Sequence, residues 1–269
     1  GDRFKEKSQK LLFEIINEPF GLSVEQVDLL DARTLQTIRE SNPDRVVIYS
    51  GNDYSGLNNM LEAQRLNDPN IMAYFHMYDP WDFAGLGNGT WGSENEREAI
   101  ENSFNRAADF MDATGIPVMI SEFGAVKSND YNSRMRHYFT YVESAIRHNI
   151  MFQVWDDGGN FGVYFRDLRA WPEVKDILLY TYPDSPTNLS ARKENGRIAV
   201  NWTNRSDEKH AILIQRRSPD ATFRTIAEQE QGVNSYRDED IQNGASYDYR
   251  IIAVFEDGND RYSYPYRVE

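Results

Sequence analysis

Five short apolar runs, each followed by a polar or amphipathic stretch, set what the first 184 residues of this 269-residue chain can become. They are Leu11 to Ile16, Val46 to Tyr49, Ile71 to Phe75, Pro117 to Ile120 and Phe152 to Trp155. Continuous runs of this length suit strands buried on both faces. Helix signals fill the intervals. Ser23 with Gln26 and Ser93 with Glu96 have capping-box spacing. Ile100, Phe104, Ala107, Ala108 and Met111 form one helical face that Gly115 ends, and Met135, Phe139, Val142 and Ile146 form another. Repeated strand-then-helix units predict a parallel sheet, either doubly wound or a (β/α) barrel.

The pattern changes at Tyr182-Pro183-Asp184-Ser185-Pro186, which is predicted to be a linker. Beyond it, alternating runs such as Ile198 to Trp202, Ala211 to Gln215, Phe223 to Ala227, Tyr247 to Phe255 and Tyr262 to Val268 predict an all-β sandwich. The expected domains are residues 1–182 and 185–269. Their charge differs: residues 1–184 hold 17 Lys/Arg against 29 Asp/Glu, a net of −12, out of −14 for the chain. That acidity repels phosphate backbones and argues against nucleic acid. No run of 18 apolar residues is present, so no membrane partner is expected. With no cysteine, disulfides and thiol chemistry are excluded. The opening Gly1-Asp2-Arg3 offers no targeting signal to read.

In a parallel barrel, reacting groups stand at the C-terminal ends of strands. The residues after the runs are Asn17-Glu18-Pro19, His76-Met77-Tyr78, Ser121-Glu122-Phe123-Gly124 and Trp155-Asp156-Asp157. Two carboxylates, an imidazole, a phenol, an amide and an indole thus meet on one rim. Glycoside hydrolysis needs two carboxyl groups flanking the scissile bond, one protonated and one ionised. An aromatic ring holds the sugar and an amide bonds its hydroxyl. Each residue alone has a plainer reading, as a loop carboxylate or a packing ring; their convergence carries the hypothesis. Asp156, Asp157 and Asn160 read as a solvated acidic loop in preference to a calcium site. Neither a cofactor nor a metal is expected.

Five segments sharpen this reading. RFKEKSQKLLFEIINEPFG (3–21), SNPDRVVIYSGNDY (41–54), AYFHMYDPWDF (73–83), GIPVMISEFGAV (115–126) and FQVWDDGGNFGVY (152–164) resemble, in order, the fourth to eighth strand segments of glycoside hydrolase family 5. The resemblance implies an α/β fold made of strands four to eight of a (β/α)8 TIM barrel. It implies a retaining endo-β-1,4-glycanase acting on β-glucan or cellulose, or alternatively a β-mannanase or other β-glucanase. Glu18 would be the acid/base and Glu122 the nucleophile. Asn17 would bond the 2-hydroxyl, Tyr78 would orient Glu122, and His76 would contact the sugar or the acid/base. Trp155 would stack under the sugar at the cleavage site, and Trp81 and Trp91, in the loop after the sixth strand, would either line subsites or pack. A secreted or periplasmic location follows from the same resemblance.

The segments that would supply the first three strands are missing, and with them an arginine that supports the nucleophile and a histidine of the glycone subsite. Five units cannot close an eight-stranded barrel. The chain is therefore expected to self-associate or to pair with a complementing N-terminal fragment; the non-catalytic alternative is a half-barrel that only binds glycan or assembles. The second part resembles fibronectin type III through PTNLSA (186–191), GRIAVNWT (196–203), SYRDED (235–240) and ASYDYRIIAVF (245–255). This implies Trp202 as its core indole and Tyr247 or Tyr249 as its corner tyrosine. Tyr262, Tyr264 and Tyr266 share one strand face and are expected to pack rather than to bind sugar.

Overall fold

A computed structural model describes residues 2–171, 174–219 and 221–269; Gly1 of the opening tripeptide lies outside them. The chain forms two compact units. The first takes residues up to 78, 101–123 and 148–154; the second takes 79–100, 124–147 and 155–269.

The first unit is built on a five-stranded parallel sheet in sequential order: β1 (Phe13–Glu14), β2 (Val47–Tyr49), β3 (Ile71–His76), β4 (Val118–Glu122) and β5 (Met151–Phe152). All five expected runs supply strands. The first and last strands are shorter than their runs, and among the described residues each lies at an edge of the sheet. Leu11, Ile16 and Met151, on or beside these two edges, are exposed. One sheet face packs Ile48, Tyr74 and Met119 together, with Leu12 and Met72 against them. On the strands between, Val47, Ala73, Phe75 and Ile120 are buried, and Phe75 meets Phe104 edge-on at 6.1 Å. Phe104 lies on α4 (Glu94–Thr114), where Phe110 is buried in place of the expected Ala108 and Met111. Gly115 ends that helix at φ +70°, its N–H bonded to the Met111 carbonyl.

Helix α1 (Val24–Arg39) opens with the expected Ser23–Gln26 capping box. Between β2 and β3 lies the short α2 (Leu57–Glu62). Arg45, 1% exposed, donates to the carbonyls of Phe4, Lys7, Ser8 and Leu11 and to the Asn42 side chain. One guanidinium thereby satisfies a coil that has almost no regular structure of its own.

The second unit contains α3 (Trp81–Ala84), α5 (Tyr131–Arg147), α6 (Val174–Tyr180) and two antiparallel sheets. One sheet orders β10 (Ser235–Asp238), β7 (Arg197–Thr203) and β6 (Thr187–Glu194). The other orders β12 (Arg261–Tyr262), β11 (Tyr247–Val254), β8 (Ala211–Arg217) and β9 (Arg224–Glu230), with β13 (Tyr266–Val268) also on β11. Ile198, Val200, Trp202, Ile212, Ile214, Tyr249 and Ile251 are buried. The expected linker is a tight turn, Ser185 N–H donating to the Tyr182 carbonyl.

Helix α5 is buried on nearly every face because the antiparallel sheets cover what its spacing marks as polar. Phe139 packs edge-on to Tyr264, Asn132 exchanges hydrogen bonds with Arg267, and Arg217 and Arg267 both pair with the fully buried Asp248. Tyr264 is thus a packing residue, and Tyr262 stacks on Tyr180 at 4.5 Å.

Asp31, on the buried side of α1, is 2% exposed and its Oδ1 has no partner among the described residues. Burial, reinforced by the charge of Asp28, pushes its carboxyl up to about 7. The fold therefore holds a proton that the unfolded chain releases near 3.8. The stabilisation from that proton is complete below 3.8 and lost as pH rises through about 7. Asp31→Asn should flatten this decline. Its urea midpoint relative to the parent should climb between pH 4 and pH 8, by on the order of 2–4 kcal/mol in stability.

Candidate functional site

β3 sits between β2 and β4, so its C-terminal end is flanked by loops on both sides. Tyr74 pairs with Met119 and Phe75 with Ile120, but His76 pairs with Glu122; the register shifts at this step. Without the shift Ser121 would stand opposite His76, and Glu122 would point to the other face. The extra residue is a bulge that turns Glu122 onto the His76 side.

Glu18 arrives from β1. Ile15 N–H bonds the Ile48 carbonyl, keeping the backbone alongside β2, and then Asn17-Glu18-Pro19 turns. Glu18 has φ 47°, a left-handed conformation costing a non-glycine residue about 1–2 kcal/mol. Its Oε1 lies 2.7 Å from His76 Nδ1, and Glu122 Oε2 lies 3.5 Å from the same nitrogen. The Tyr78 hydroxyl donates to Glu122 Oε2 at 2.8 Å. Ligating atoms of Glu18, His76 and Glu122 all fall within 4.8 Å of one another. The sequence-predicted residues Glu18, His76, Tyr78 and Glu122 therefore meet, although 104 positions separate the two glutamates. The donor set could in principle bind a divalent cation, but nothing in it departs from a carboxylate pair bridged by an imidazole.

The two carboxyls differ in setting. The Glu122 side chain is 14% exposed and that of Glu18 32%. Burial pushes the Glu122 carboxyl up; His76 and the Tyr78 hydroxyl pull it down, and the Glu18 charge adds to the rise.

Beneath the pair, Tyr74 is fully buried and its ring lies 5.2 Å from the His76 imidazole. Its hydroxyl donates to the Ile16 carbonyl at 2.6 Å and accepts from Ser55 Oγ at 3.0 Å. The sequence reading missed this tyrosine because it sits inside an apolar run. It also missed Glu14, a third carboxyl pushed up by desolvation and coupled to His76, Tyr74 and Glu122. Strand alternation places Glu14 on the same side as Ile16 and was the available signal.

Asn17 is exposed beside Glu18. The three tryptophans belong to the second unit. Trp155 is 39% exposed and Trp81 53%, the latter stacked with Phe161 at 6.5 Å. Trp91 is a correction: it is 3% exposed, packed against Phe83 and His137, and serves the core instead of a subsite. Its flanking Trp-Gly-Ser ends a loop that folds inward, Trp91 N–H bonding Ser133 Oγ. The Asp156 oxygens accept from the backbone of Gly158, Val163 and Tyr164 and from Arg166, so this acidic loop is closed by its own donors.

The family model for cellulase (glycosyl hydrolase family 5) matches residues 1–159. Endoglucanase H of Acetivibrio thermocellus is 34% identical over 192 residues, which are 68% of this chain and 21% of that protein. The chain thus spans about a fifth of that relative's length. Crystalline Thermotoga maritima Cel5A in complex with mannotriose superposes with a TM-score of 0.62 at 25% identity, covering 66% of this chain and 61% of that one. A tri-modular endo-β-1,4-glucanase from Bacillus licheniformis shares the fold over 98% of this chain and 55% of its own, with a TM-score of 0.75 at 23% identity. With a family model matched over more than half its length, the chain belongs to glycosyl hydrolase family 5.

Proposed function

We propose that this chain carries the catalytic carboxylates of a retaining endo-β-1,4-glucanase acting on cellulose-type β-glucan. The observation that carries the reading is the closeness of Glu18 and Glu122, whose nearest oxygens lie within 4.8 Å. Retaining glycosidases hold their carboxyls about 5–5.5 Å apart, whereas inverting ones leave about 6.5–9.5 Å for a water. In this reading Glu18 protonates the glycosidic oxygen while Glu122 attacks the anomeric carbon. A glycosyl–enzyme ester forms on Glu122, and Glu18 then takes a proton from the water that cleaves it. His76 holds Glu18 in place and Tyr78 holds Glu122. Asn17 bonds the 2-hydroxyl.

The mannotriose complex of the Thermotoga relative keeps mannan as a second substrate to test. The half-barrel that only binds glycan gains no support from the endoglucanase relatives. The sheet corresponds, in this reading, to strands four to eight of the barrel, and its exposed edges favour a complementing N-terminal fragment or self-association. The antiparallel sheets fit a fibronectin III-like sandwich over 185–269. Trp202 is buried in it, and the Tyr247 hydroxyl accepts the Gln242 N–H at 2.9 Å, as a corner tyrosine does. A secreted or periplasmic location goes with polymeric substrate.

Reducing-sugar release from carboxymethylcellulose, mixed-linkage glucan, xyloglucan and mannan tests the activity. Glu122→Gln should abolish it on every polymer. Glu18→Gln should slow polymer cleavage by about 10²–10⁴. It should slow ester formation from an aryl β-cellobioside with an acidic phenol far less, because that leaving group needs no proton. Equal losses on both substrates would contradict the assignment of Glu18. Tyr78→Phe removes a hydrogen bond that favours ionised Glu122, so the acid limb of kcat/KM should move to higher pH. Light scattering reads the remaining point: a monodisperse monomer that binds no hydrophobic dye would rule out the uncovered-edge reading.

A further inference from the structure

Tyr74 lies on β3 two residues before His76, so both side chains take the same sheet face. Its ring is fully buried against Ile48 and Met119. Packing alone does not require a hydroxyl, because the ring supplies the buried area. The hydroxyl has specific partners. It donates its single hydrogen to the Ile16 carbonyl at 2.6 Å and accepts from Ser55 Oγ at 3.0 Å. Burial pushes the phenol above its ordinary range, against hydrogen bonds from Ser55 and from the Glu18 backbone, so the group stays a donor at any pH at which the protein works.

Both partners stand where the chain leaves regular structure. Pairing of the first strand with β2 reaches Ile15, whose N–H bonds the Ile48 carbonyl at 3.1 Å. The Ile16 carbonyl follows directly, and two residues later Glu18 takes φ 47°. Ser55 ends the turn after β2, where Asp53, Tyr54 and Ser55 have φ of 49°, 59° and 56°. Left-handed backbone at non-glycine residues persists only where its surroundings fix it. Ser55 is fully buried, and the next residue, Gly56, bridges to His76. Tyr74 itself is held on three sides. Its strand is paired with β2 and with β4, and Ser50 Oγ donates to its carbonyl at 2.6 Å. The phenolic oxygen is thus a fixed point of the sheet, joined to the backbone two residues before Glu18.

We propose that Tyr74 is a positioning residue for Glu18: its hydroxyl, held by Ser55, fixes the Ile16 carbonyl and thereby sets the Glu18 carboxyl against the His76 imidazole. This deepens the glucanase reading and rests on it for the role of Glu18 as acid/base. The placement has a narrow tolerance. Glu18 Oε1 lies 2.7 Å from His76 Nδ1, and a general acid must also come within hydrogen-bond reach of the glycosidic oxygen. Displacing a catalytic group by about 1 Å costs on the order of 10²-fold in rate. Without the hydroxyl, the Ile16 carbonyl loses that hydrogen bond and the Glu18 turn is free to relax from φ 47°. Glu122 is held by a different route, on β4 and through the Tyr78 hydroxyl, so the two carboxyls respond separately.

Tyr74→Phe keeps the ring and removes the hydroxyl. It should lower kcat/KM on mixed-linkage glucan about 10–100-fold. On an aryl β-cellobioside with an acidic phenol, which leaves without being protonated, kcat/KM should stay near the parent's. In a Glu18→Gln background, Tyr74→Phe should cost nothing further on glucan, because both changes act on one step. A second readout needs no turnover: the His76 Nδ1–H resonance, followed by proton–nitrogen NMR in the substrate-free chain, should exchange with water faster in Tyr74→Phe than in the parent. Ser55→Ala removes the donor that holds the hydroxyl and should reproduce both effects at smaller size; it takes over the comparison if Tyr74→Phe does not fold. Equal losses on both substrates, additive losses with Glu18→Gln, or an unchanged His76 resonance overturns the positioning role. A parent chain inactive on every polymer and on the cellobioside, with the His76 resonance altered in Tyr74→Phe, overturns the glucanase reading instead and sustains the tie between Tyr74 and Glu18.

Discussion

The site depends on one irregularity in the sheet. Parallel pairing alone would align His76 with Ser121 and send Glu122 toward the other face. The shift between Phe75 and His76 brings Glu122 opposite the imidazole. A strand's side chains alternate, so one inserted residue is the smallest change that moves a carboxylate from one face to the other. Everything else at the rim is arranged around the two residues that this shift aligns. β1 delivers Glu18 to the same imidazole, and the residue two beyond His76, Tyr78, donates to the Glu122 oxygen that faces the imidazole.

Holding these groups requires backbone in unfavourable conformations, at Glu18 and at residues 53–55. The sheet offsets that cost beneath the rim. Tyr74 belongs to the apolar cluster with Ile48 and Met119, and its hydroxyl is the point where the two strained segments are tied together. A tyrosine suits this position because its ring supplies burial while its hydroxyl both donates and accepts. Phenylalanine would keep the packing and release both loops.

The sequence allowed the strand order and the polar residues that meet at the rim to be read because both rest on local signals. Apolar runs mark buried parallel strands, and the residue after each run marks the rim. Glu18, His76, Tyr78 and Glu122 were found in this way. Trp91 was misplaced because a tryptophan in a loop looks the same whether the loop opens outward or, as here, folds onto Phe83 and His137. The all-round burial of α5 was hidden for a related reason: its second covering layer comes from strands more than 100 residues later, and helical spacing records only the first. The bulge is likewise silent, since Ile-Ser-Glu-Phe reads equally well with or without it.

The two glutamates differ by a small asymmetry in their surroundings. His76 has one nitrogen, Nδ1, for two carboxylates, 2.7 Å from Glu18 and 3.5 Å from Glu122. A single N–H cannot serve both well, and the shorter contact goes to Glu18. Burial raises the Glu122 carboxyl, the less exposed of the pair. The Tyr78 hydroxyl opposes this rise, because it donates to Glu122 and gains most when that carboxyl is ionised. That phenolic hydrogen bond acts in the direction a neighbouring cation would. A partner segment that placed a guanidinium there would strengthen the same bias.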